Sequence, residues 1–229
     1  MASCSSDNTI KLFKINDNYY EILQTLDYHS DIVYKIIEIR NKNLASCSDD
    51  KSIIFYYKDN NNKYHKDYQI STSGFCKSIT QIKENEICYL EIINYYNICF
   101  YDLSERKIKA TIHNISSSGS LGLFNLISKD NLFIGGNNQI SIINVIQYEL
   151  IKIINLHNSG DIYGYCKLNQ NMFLIGDDYG AIIQMKIDGD NIHIISKKEK
   201  AHNDTIYALI RIGNGKIASC SFDKSIKIW

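Results

Sequence analysis

The chain has 229 residues, with 25 Lys and Arg residues against 25 Asp and Glu residues, so its formal net charge is zero. A neutral chain has no net field that would attract nucleic acid or an anionic membrane, and neither is expected as a partner. No apolar run reaches the about 20 residues that cross a bilayer, and the seven cysteines form no CxxC pair. These features predict an intracellular protein without a metal or cofactor, located in the cytoplasm, with the nucleus as the alternative.

Three stretches of the chain nearly repeat one another. They are residues 2–13 (ASCSSDNTIKLF), 45–56 (ASCSDDKSIIFY) and 218–229 (ASCSFDKSIKIW). Each begins with a strand of small residues, continues through a turn that contains Asp, and ends in a strand where apolar and polar residues alternate. This pattern is typical of a β-hairpin.

Weaker copies of the hairpin occupy residues 88–101, 133–143 and 173–184, which gives six copies in all. Equivalent positions in the six copies are 41 to 45 residues apart and are taken as Ile10, Ile53, Ile98, Ile140, Ala181 and Ile226. A period of this size is typical of a four-stranded propeller blade. Apolar or alternating strands before and after the hairpins supply the other two strands. The sequence therefore predicts an all-β fold, a β-propeller of four-stranded antiparallel blades.

The predicted propeller is a single domain over residues 1–229, with about six blades. The blades are expected at approximately 1–26, 27–70, 71–112, 113–156, 157–199 and 200–229. The first blade lacks its innermost strand and the last lacks its outermost strand, which gives an expected total of 22 strands. We expect the missing strands to come from the rest of a longer chain or from another subunit, because unpaired edges invite pairing.

The last copy carries residues that allow a family to be named. Ala201-His202, followed by Asp223 and Trp229, resembles the Gly-His to Trp-Asp unit of WD40-repeat proteins, which have G-beta-like repeats. The resemblance implies a hydrogen-bonded structural set. In the last blade this set is His202, Ser219, Asp223 and Trp229; in the second it is His29, Ser46 and Asp50 with Tyr56 in place of Trp; in the fifth only His157 and Asp178 remain. A hydrolase triad is not expected, because the set recurs in separate blades and no nucleophile elbow is present.

The resemblance also implies where a partner binds. Members of this family usually engage partners at the rim formed by the innermost strand, strand a, and by the turns between the second and third strands. The strand-a position is predicted to hold Tyr34, Lys77, Tyr163 and Tyr207, with Gly122 in the fourth blade. Neighbouring rim residues are predicted to be Thr205 and the residues before the turn Asp, namely Asp49, Asp177 and Phe222. Tyr is enriched at protein interfaces, although 17 Tyr residues also make chance placement an alternative.

The sequence therefore predicts a non-catalytic scaffold or adaptor that binds a protein or peptide at this rim. The alternative is a substrate receptor of a ubiquitin ligase complex. One class of such receptors has an Arg two residues after the Trp-Asp pair, and here Tyr101-Asp102 is followed by Leu103 and Ser104. An enzyme is not expected, because the sequence shows no paired carboxylates, metal-spaced histidines or glycine-rich phosphate loop.

Overall fold

The computed structural model describes residues 1–15, 19–116, 123–126, 130–136, 138–156, 159–188 and 191–229. These residues form six antiparallel sheets of three or four strands, with 22 strands in all. The described residues therefore have the all-β fold and the strand number that the hairpin repeat predicts. Its internal contacts divide it into two compact units, Met1–Ser117 and Ser118–Trp229.

The first unit contains sheets 1 to 3, each built from strands that are consecutive in the chain. Sheet 1 consists of β1 (Ala2–Cys4), β2 (Ile10–Ile15) and β3 (Tyr20–Leu26). Sheet 2 consists of β4 (Val33–Ile39), β5 (Asn43–Ser48), β6 (Ser52–Lys58) and β7 (Tyr64–Ser71). Sheet 3 consists of β8 (Phe75–Lys83), β9 (Glu86–Ile92), β10 (Tyr96–Asp102) and β11 (Lys107–Ser116).

The second unit contains sheets 4 to 6, again in chain order. Sheet 4 consists of β12 (Leu123–Leu126), β13 (Asn131–Gly136), β14 (Gln139–Asn144) and β15 (Glu149–Asn155). Sheet 5 consists of β16 (Ile162–Lys167), β17 (Met172–Asp177), β18 (Ile182–Asp188) and β19 (Asn191–Lys198). Sheet 6 consists of β20 (Ile206–Arg211), β21 (Ile217–Ser221) and β22 (Ile226–Ile228).

Apolar side chains from neighbouring sheets form the cores of both units. In the first unit, Phe55 of sheet 2 and Tyr89 of sheet 3 belong to one buried cluster, and Ile10 of sheet 1 joins Tyr56 in another. In the second unit, Phe133 of sheet 4 packs with Phe173 of sheet 5. Each fully buried large apolar side chain contributes about 1.5–3 kcal/mol to folding. The fourth strands are more exposed, because they lie at the outer edge of this packing.

A β-bulge lies near the start of the first strand in four of the sheets. The pairing register shifts between Val33 and Lys35, Cys76 and Ser78, Ile162 and Gly164, and Ile206 and Ala208. A bulge inserts one extra residue and redirects its side chain. The inserted residues are Tyr34, Lys77, Tyr163 and Tyr207, which are the residues that the sequence places at the strand-a rim position.

Helical structure is confined to short turns in the described part of the chain. Arg40–Lys42 joins β4 to β5, and Gly213–Gly215 joins β20 to β21, each as a turn of 3₁₀ helix. Among the described residues, no helix has the length and apolar character needed to cross a membrane.

Candidate partner-binding site

A chain of hydrogen bonds connects Trp229, directly after β22, to His202 in the loop before β20 and to Asp223 in the turn between β21 and β22. The indole N–H of Trp229 donates to Ser219 Oγ over 2.9 Å, and Ser219 Oγ lies 2.6 Å from Nε2 of His202. His202 Nδ1 lies 2.9 Å from Oδ2 of Asp223. Because the indole only donates and the carboxylate only accepts, the Trp229 N–H donates to Ser219 and the Nδ1–H of His202 donates to Asp223. The four predicted residues therefore form one continuous network.

Sheet 2 contains the same network with one substitution. His29 lies 2.7 Å from both Asp50 Oδ2 and Ser46 Oγ, and the Tyr56 hydroxyl lies 2.9 Å from Ser46 Oγ. Tyr56 thus takes the position of the tryptophan and supplies an O–H where Trp229 supplies an N–H. Burial lowers the pKa of His29, which favours the neutral form of this imidazole.

The distances within these networks resemble those of a hydrolytic Ser-His-Asp triad, but their surroundings do not. Ser46 and Ser219 are fully buried, and each hydroxyl already contacts a second side chain, Tyr56 or Trp229. A nucleophile needs access to its substrate, and these hydroxyls have none. The networks instead satisfy polar groups that would be costly to bury alone, and they connect each turn to the sheet beneath it.

Three predicted rim residues of the first unit form a compact charged network. The Lys77 ammonium lies 2.6 Å from Oδ1 and 2.8 Å from Oδ2 of Asp49. The same ammonium donates to the Tyr34 hydroxyl over 2.6 Å, and that hydroxyl donates to Asp49 Oδ2 over 2.9 Å. The Lys77 and Asp49 side chains are 13% and 15% exposed. Most of the polar capacity of this rim is therefore used within the protein.

The predicted rim residues of the second unit form an aromatic cluster instead. The ring centroids of Tyr163 and Tyr207 are 5.5 Å apart, and those of Tyr207 and Phe222 are 6.2 Å apart, both pairs in edge-to-face orientation. Tyr207 is 48% exposed and Phe222 is 63% exposed. Thr205 lies beside them, since its carbonyl accepts the Phe222 N–H over 2.9 Å. We call Tyr163, Tyr207 and Phe222 the aromatic cluster.

One rim prediction, Asp177, is wrong. Asp177 is fully buried, and its carboxylate accepts backbone N–H groups from Tyr179, Ala181 and Gly160 at 3.1, 2.8 and 3.4 Å. It pairs with Ile162, just as Ser48 pairs with Val33 in sheet 2. Asp177 therefore corresponds to the last serine of that strand and stabilises the turn, so it offers no surface to a partner.

The register of sheet 5 consequently differs by one residue from the sequence alignment. Ile182, not Ala181, lies opposite Gly176 and corresponds to Ile53, which lies opposite Cys47. The rim residue equivalent to Asp49 and Phe222 is then Asp178, which the sequence analysis assigned to the structural set. His157 and Gly122 lie outside the described residues.

Asp178 occupies the rim position with a poorly compensated charge. Its backbone N–H donates to the Asp161 carbonyl over 3.0 Å, and its Oδ1 accepts the Asp161 N–H over 3.0 Å. An added Cβ on Gly160 would lie 1.5 Å from this oxygen, so only glycine allows the carboxylate to lie there. Burial, and then the neighbouring Asp161 carboxylate, raise the pKa of Asp178. The site thus has a half-buried carboxylate whose negative charge is disfavoured.

The side chains of this region offer no evident metal site. In the ranges that the structure describes, no group of three or more His, Cys, Asp or Glu side chains converges to hold a metal ion. At the predicted rim positions the first unit has a charged network, and the second has exposed rings beside carboxylates.

Comparisons with known proteins agree with the repeat and the fold. Residues 193–229 match the family model described as WD domain, G-beta repeat, a range that includes the whole network of sheet 6. A chain in the crystal structure of the mitotic checkpoint complex has a TM-score of 0.80 to this chain, with 12% sequence identity, and the match covers 100% of this chain and 70% of that one. A comparison with curated proteins finds no match. The structural likeness supports a propeller fold for the chain, and the family model shows a WD repeat of the G-beta type at residues 193–229.

Proposed function

We propose that the chain is a non-catalytic scaffold that binds a protein or peptide through the aromatic cluster of its second unit. The observation that carries the proposal is the exposure of Tyr207 and Phe222, which pack edge to face and leave about half or more of each side chain open to solvent. Exposed and preorganised aromatic rings are the commonest anchors of protein interfaces, because they bury a large area at low entropic cost.

The rigid placement of these rings supports the proposal. Tyr163 and Tyr207 are the inserted residues of two bulges, so the backbone fixes the direction of both side chains. Phe222 is held by the hydrogen bond from its N–H to the Thr205 carbonyl. None of the three rings belongs to the two buried clusters described for this unit, so packing within those clusters does not account for them. Lys77, Tyr34 and Asp49 are expected to contribute less, because they already bind one another.

Affinity capture with purified protein tests the proposal. The double variant Tyr207→Ala with Phe222→Ala should lose the proteins that the wild-type chain captures from its source cell, as quantified by mass spectrometry. Its thermal unfolding midpoint should remain close to that of the wild type, because both side chains lie at the surface.

The matched control removes exposed apolar side chains from another face of the same unit. Ile151 and Ile153 on β15 are 43% and 42% exposed, and the double variant Ile151→Ala with Ile153→Ala should retain the captured proteins. Retention of every partner by the aromatic variant, or equal loss from both variants, would contradict the proposal. The ubiquitin-ligase alternative is a special case of the same binding activity, and none of the described residues favours it.

A further inference from the structure

The first unit shows which chemical group suits the rim position. The Lys77 ammonium lies between the Asp49 carboxylate and Tyr34, where it is 2.6 Å from both the nearer carboxylate oxygen and the hydroxyl. It is also 3.8 Å from the centroid of the Tyr34 ring. A tyrosine and an aspartate of sheet 2 thus bind a cation that sheet 3 supplies.

Sheet 5 repeats the two residues that bind this cation. Tyr163 is the inserted residue of the bulge in β16, as Tyr34 is in β4. Asp178 follows β17 as Asp49 follows β5, and each donates its backbone N–H over 3.0 Å to the residue two positions before that tyrosine, Asp161 or Ile32. The backbone register therefore makes Tyr163 and Asp178 the equivalents of Tyr34 and Asp49.

The residue that would supply the cation differs between the two units. The position equivalent to Lys77 in sheet 6 is the bulge residue of β20, and it is Tyr207. Its ring packs against Tyr163. No lysine or arginine nitrogen in the described ranges lies within 4.0 Å of the Asp178 carboxylate, and no described residue hydrogen-bonds its Oδ2. Sheet 5 thus has equivalents of Tyr34 and Asp49, and Tyr207 of sheet 6 takes the place of Lys77.

We infer that Tyr163, Tyr207 and Asp178 form a subsite for a basic side chain, lysine or arginine, of a bound peptide. This inference rests on the proposed function, since the subsite belongs to the same surface as the aromatic cluster. A cation at this position meets a half-buried carboxylate and the face of an aromatic ring, and both interactions strengthen when water is displaced. It also relieves the repulsion between the Asp178 and Asp161 carboxylates, which otherwise disfavours the charge on Asp178.

The observations favour a basic peptide over other occupants of this surface. A neutral or apolar segment would cover the rings of Tyr207 and Phe222, but it would bury the Asp178 carboxylate without a counter-charge, which is costly. An acidic segment would add like charge beside Asp161 and Asp178. Electrostatic complementarity therefore selects lysine or arginine as the group that sits beside Asp178, with apolar residues of the same peptide on Phe222.

Selection from a displayed library of random 12-residue peptides provides the test, with the full chain as the immobilised target. Peptides that bind the wild type should be enriched in lysine or arginine next to an apolar residue. Replacing that lysine by norleucine, or that arginine by citrulline, should weaken binding at least about tenfold, because it removes the charge and keeps most of the shape. The variant Asp178→Asn should weaken binding of the basic peptides by a similar factor and leave the norleucine or citrulline peptides unaffected.

The variant Tyr207→Lys places the chain's own ammonium where Lys77 lies in the first unit. It should abolish binding of the basic peptides, because the internal cation would compete with the peptide. Tyr207→Met, similar in length and uncharged, is its matched control and should weaken binding only partially. Equal effects of the two variants would overturn the inference, since loss of the ring would then explain both. Thermal unfolding of each variant confirms that it is folded.

The outcomes separate the two proposals. Enrichment of neutral peptides that depend on Tyr207 and Phe222 but not on Asp178 would overturn the basic subsite and leave the proposed function intact. Failure to select any peptide that depends on the aromatic cluster would overturn both.

Discussion

Trp229 and Ser219 are joined by a hydrogen bond of 2.9 Å, and Tyr56 lies at the same distance from Ser46 in sheet 2. A hydroxyl therefore substitutes for an indole N–H without changing the rest of the network. In both sheets the serine Oγ is also hydrogen-bonded to Nε2 of a histidine, and Nδ1 of that histidine is hydrogen-bonded to an aspartate. The position requires a large ring that ends in a donor, which tryptophan and tyrosine both supply.

The variant Ser46→Ala should destabilise the protein by about 2 kcal/mol. It removes the middle of the network and leaves the Tyr56 hydroxyl and Nε2 of His29 buried without a partner. Ser71→Ala, which changes an exposed serine on β7, is the matched control and should lie within about 0.5 kcal/mol of the wild type. Urea unfolding measures both values. Equal stability of the two variants would show that the network contributes nothing net.

Stability should decrease as the pH falls below about 6.5, the ordinary pKa of histidine. Burial holds the pKa of His29 below that value in the folded protein, so the unfolded chain takes up the proton first. The stability associated with the neutral imidazole is therefore complete above about pH 6.5 and is lost progressively as the pH falls towards the folded-state pKa.

Urea unfolding of the variant His29→Gln between pH 7 and pH 5 checks this prediction. The variant should be less stable at pH 7 and should show a shallower dependence on pH than the wild type. His113→Gln, which changes an exposed histidine of the same unit, keeps the buried imidazole and should retain the wild-type dependence. A His29 variant with an undiminished pH dependence would assign the effect to other groups.

The fold could be predicted from the sequence because hairpin period and strand alternation are local patterns. The network of His202, Ser219 and Asp223 could be predicted only through the resemblance to WD40-repeat proteins, which implies such a set at these positions around the hairpin. The register of sheet 5 could not, because two adjacent aspartates fit the pattern in two ways. Gly180 carried the missing signal: it has a φ of 74°, like Lys51 at 60° and Lys224 at 65°, and aligning these left-handed turn residues gives the observed register.

The contact between Lys77 and Tyr34 was beyond sequence reasoning for a different reason. The rim positions of both residues follow from the repeat, but their bond crosses from sheet 3 to sheet 2. Its existence depends on how closely the two sheets pack, and no periodic pattern within one sheet determines that distance. The same holds for the edge-to-face contact between Tyr163 and Tyr207, which joins sheets 5 and 6.

Gly180→Ala should be strongly destabilising, by about 3 kcal/mol. Its φ of 74° is strained for alanine, and the new Cβ would lie 2.2 Å from the carbonyl oxygen of His202. Two other glycines separate these causes, because neither has an atom within 4 Å of an added Cβ. The variant Gly215→Ala, at a φ of 75°, should lower the free energy of unfolding by about 1 kcal/mol. Gly213 lacks a left-handed φ, so Gly213→Ala should change that free energy little. Equal costs at Gly180 and Gly215 would contradict the predicted clash.

The ion pair between Lys77 and Asp49 should contribute measurably to stability. A double-mutant cycle with Lys77→Met and Asp49→Asn should give a coupling energy of about 1–2 kcal/mol, because both side chains are largely buried. The pair of Lys107 and Glu105, whose side chains are 65% and 58% exposed, is the matched control and should give a coupling near zero. Chemical unfolding at low and moderate salt measures both cycles, and a coupling at Lys77 no larger than that of the control would contradict the prediction.

The two adjacent aspartates of sheet 5 should respond oppositely to substitution. Asp177→Ala removes the acceptor of three backbone N–H groups and should cost about 2–3 kcal/mol. Asp178→Asn keeps an oxygen for the Asp161 N–H and removes a charge. Burial and the Asp161 carboxylate raise the pKa of Asp178 in the folded protein. Ionisation of Asp178 therefore destabilises the fold as the pH rises above about 3.8, its ordinary pKa. The Asp178→Asn variant should consequently be as stable as the wild type at pH 7, or slightly more stable. Thermal unfolding at pH 7 compares the two variants. A destabilised Asp178→Asn beside an unaffected Asp177→Ala would restore the register predicted from the sequence and, with it, move the proposed cation subsite to the other carboxylate.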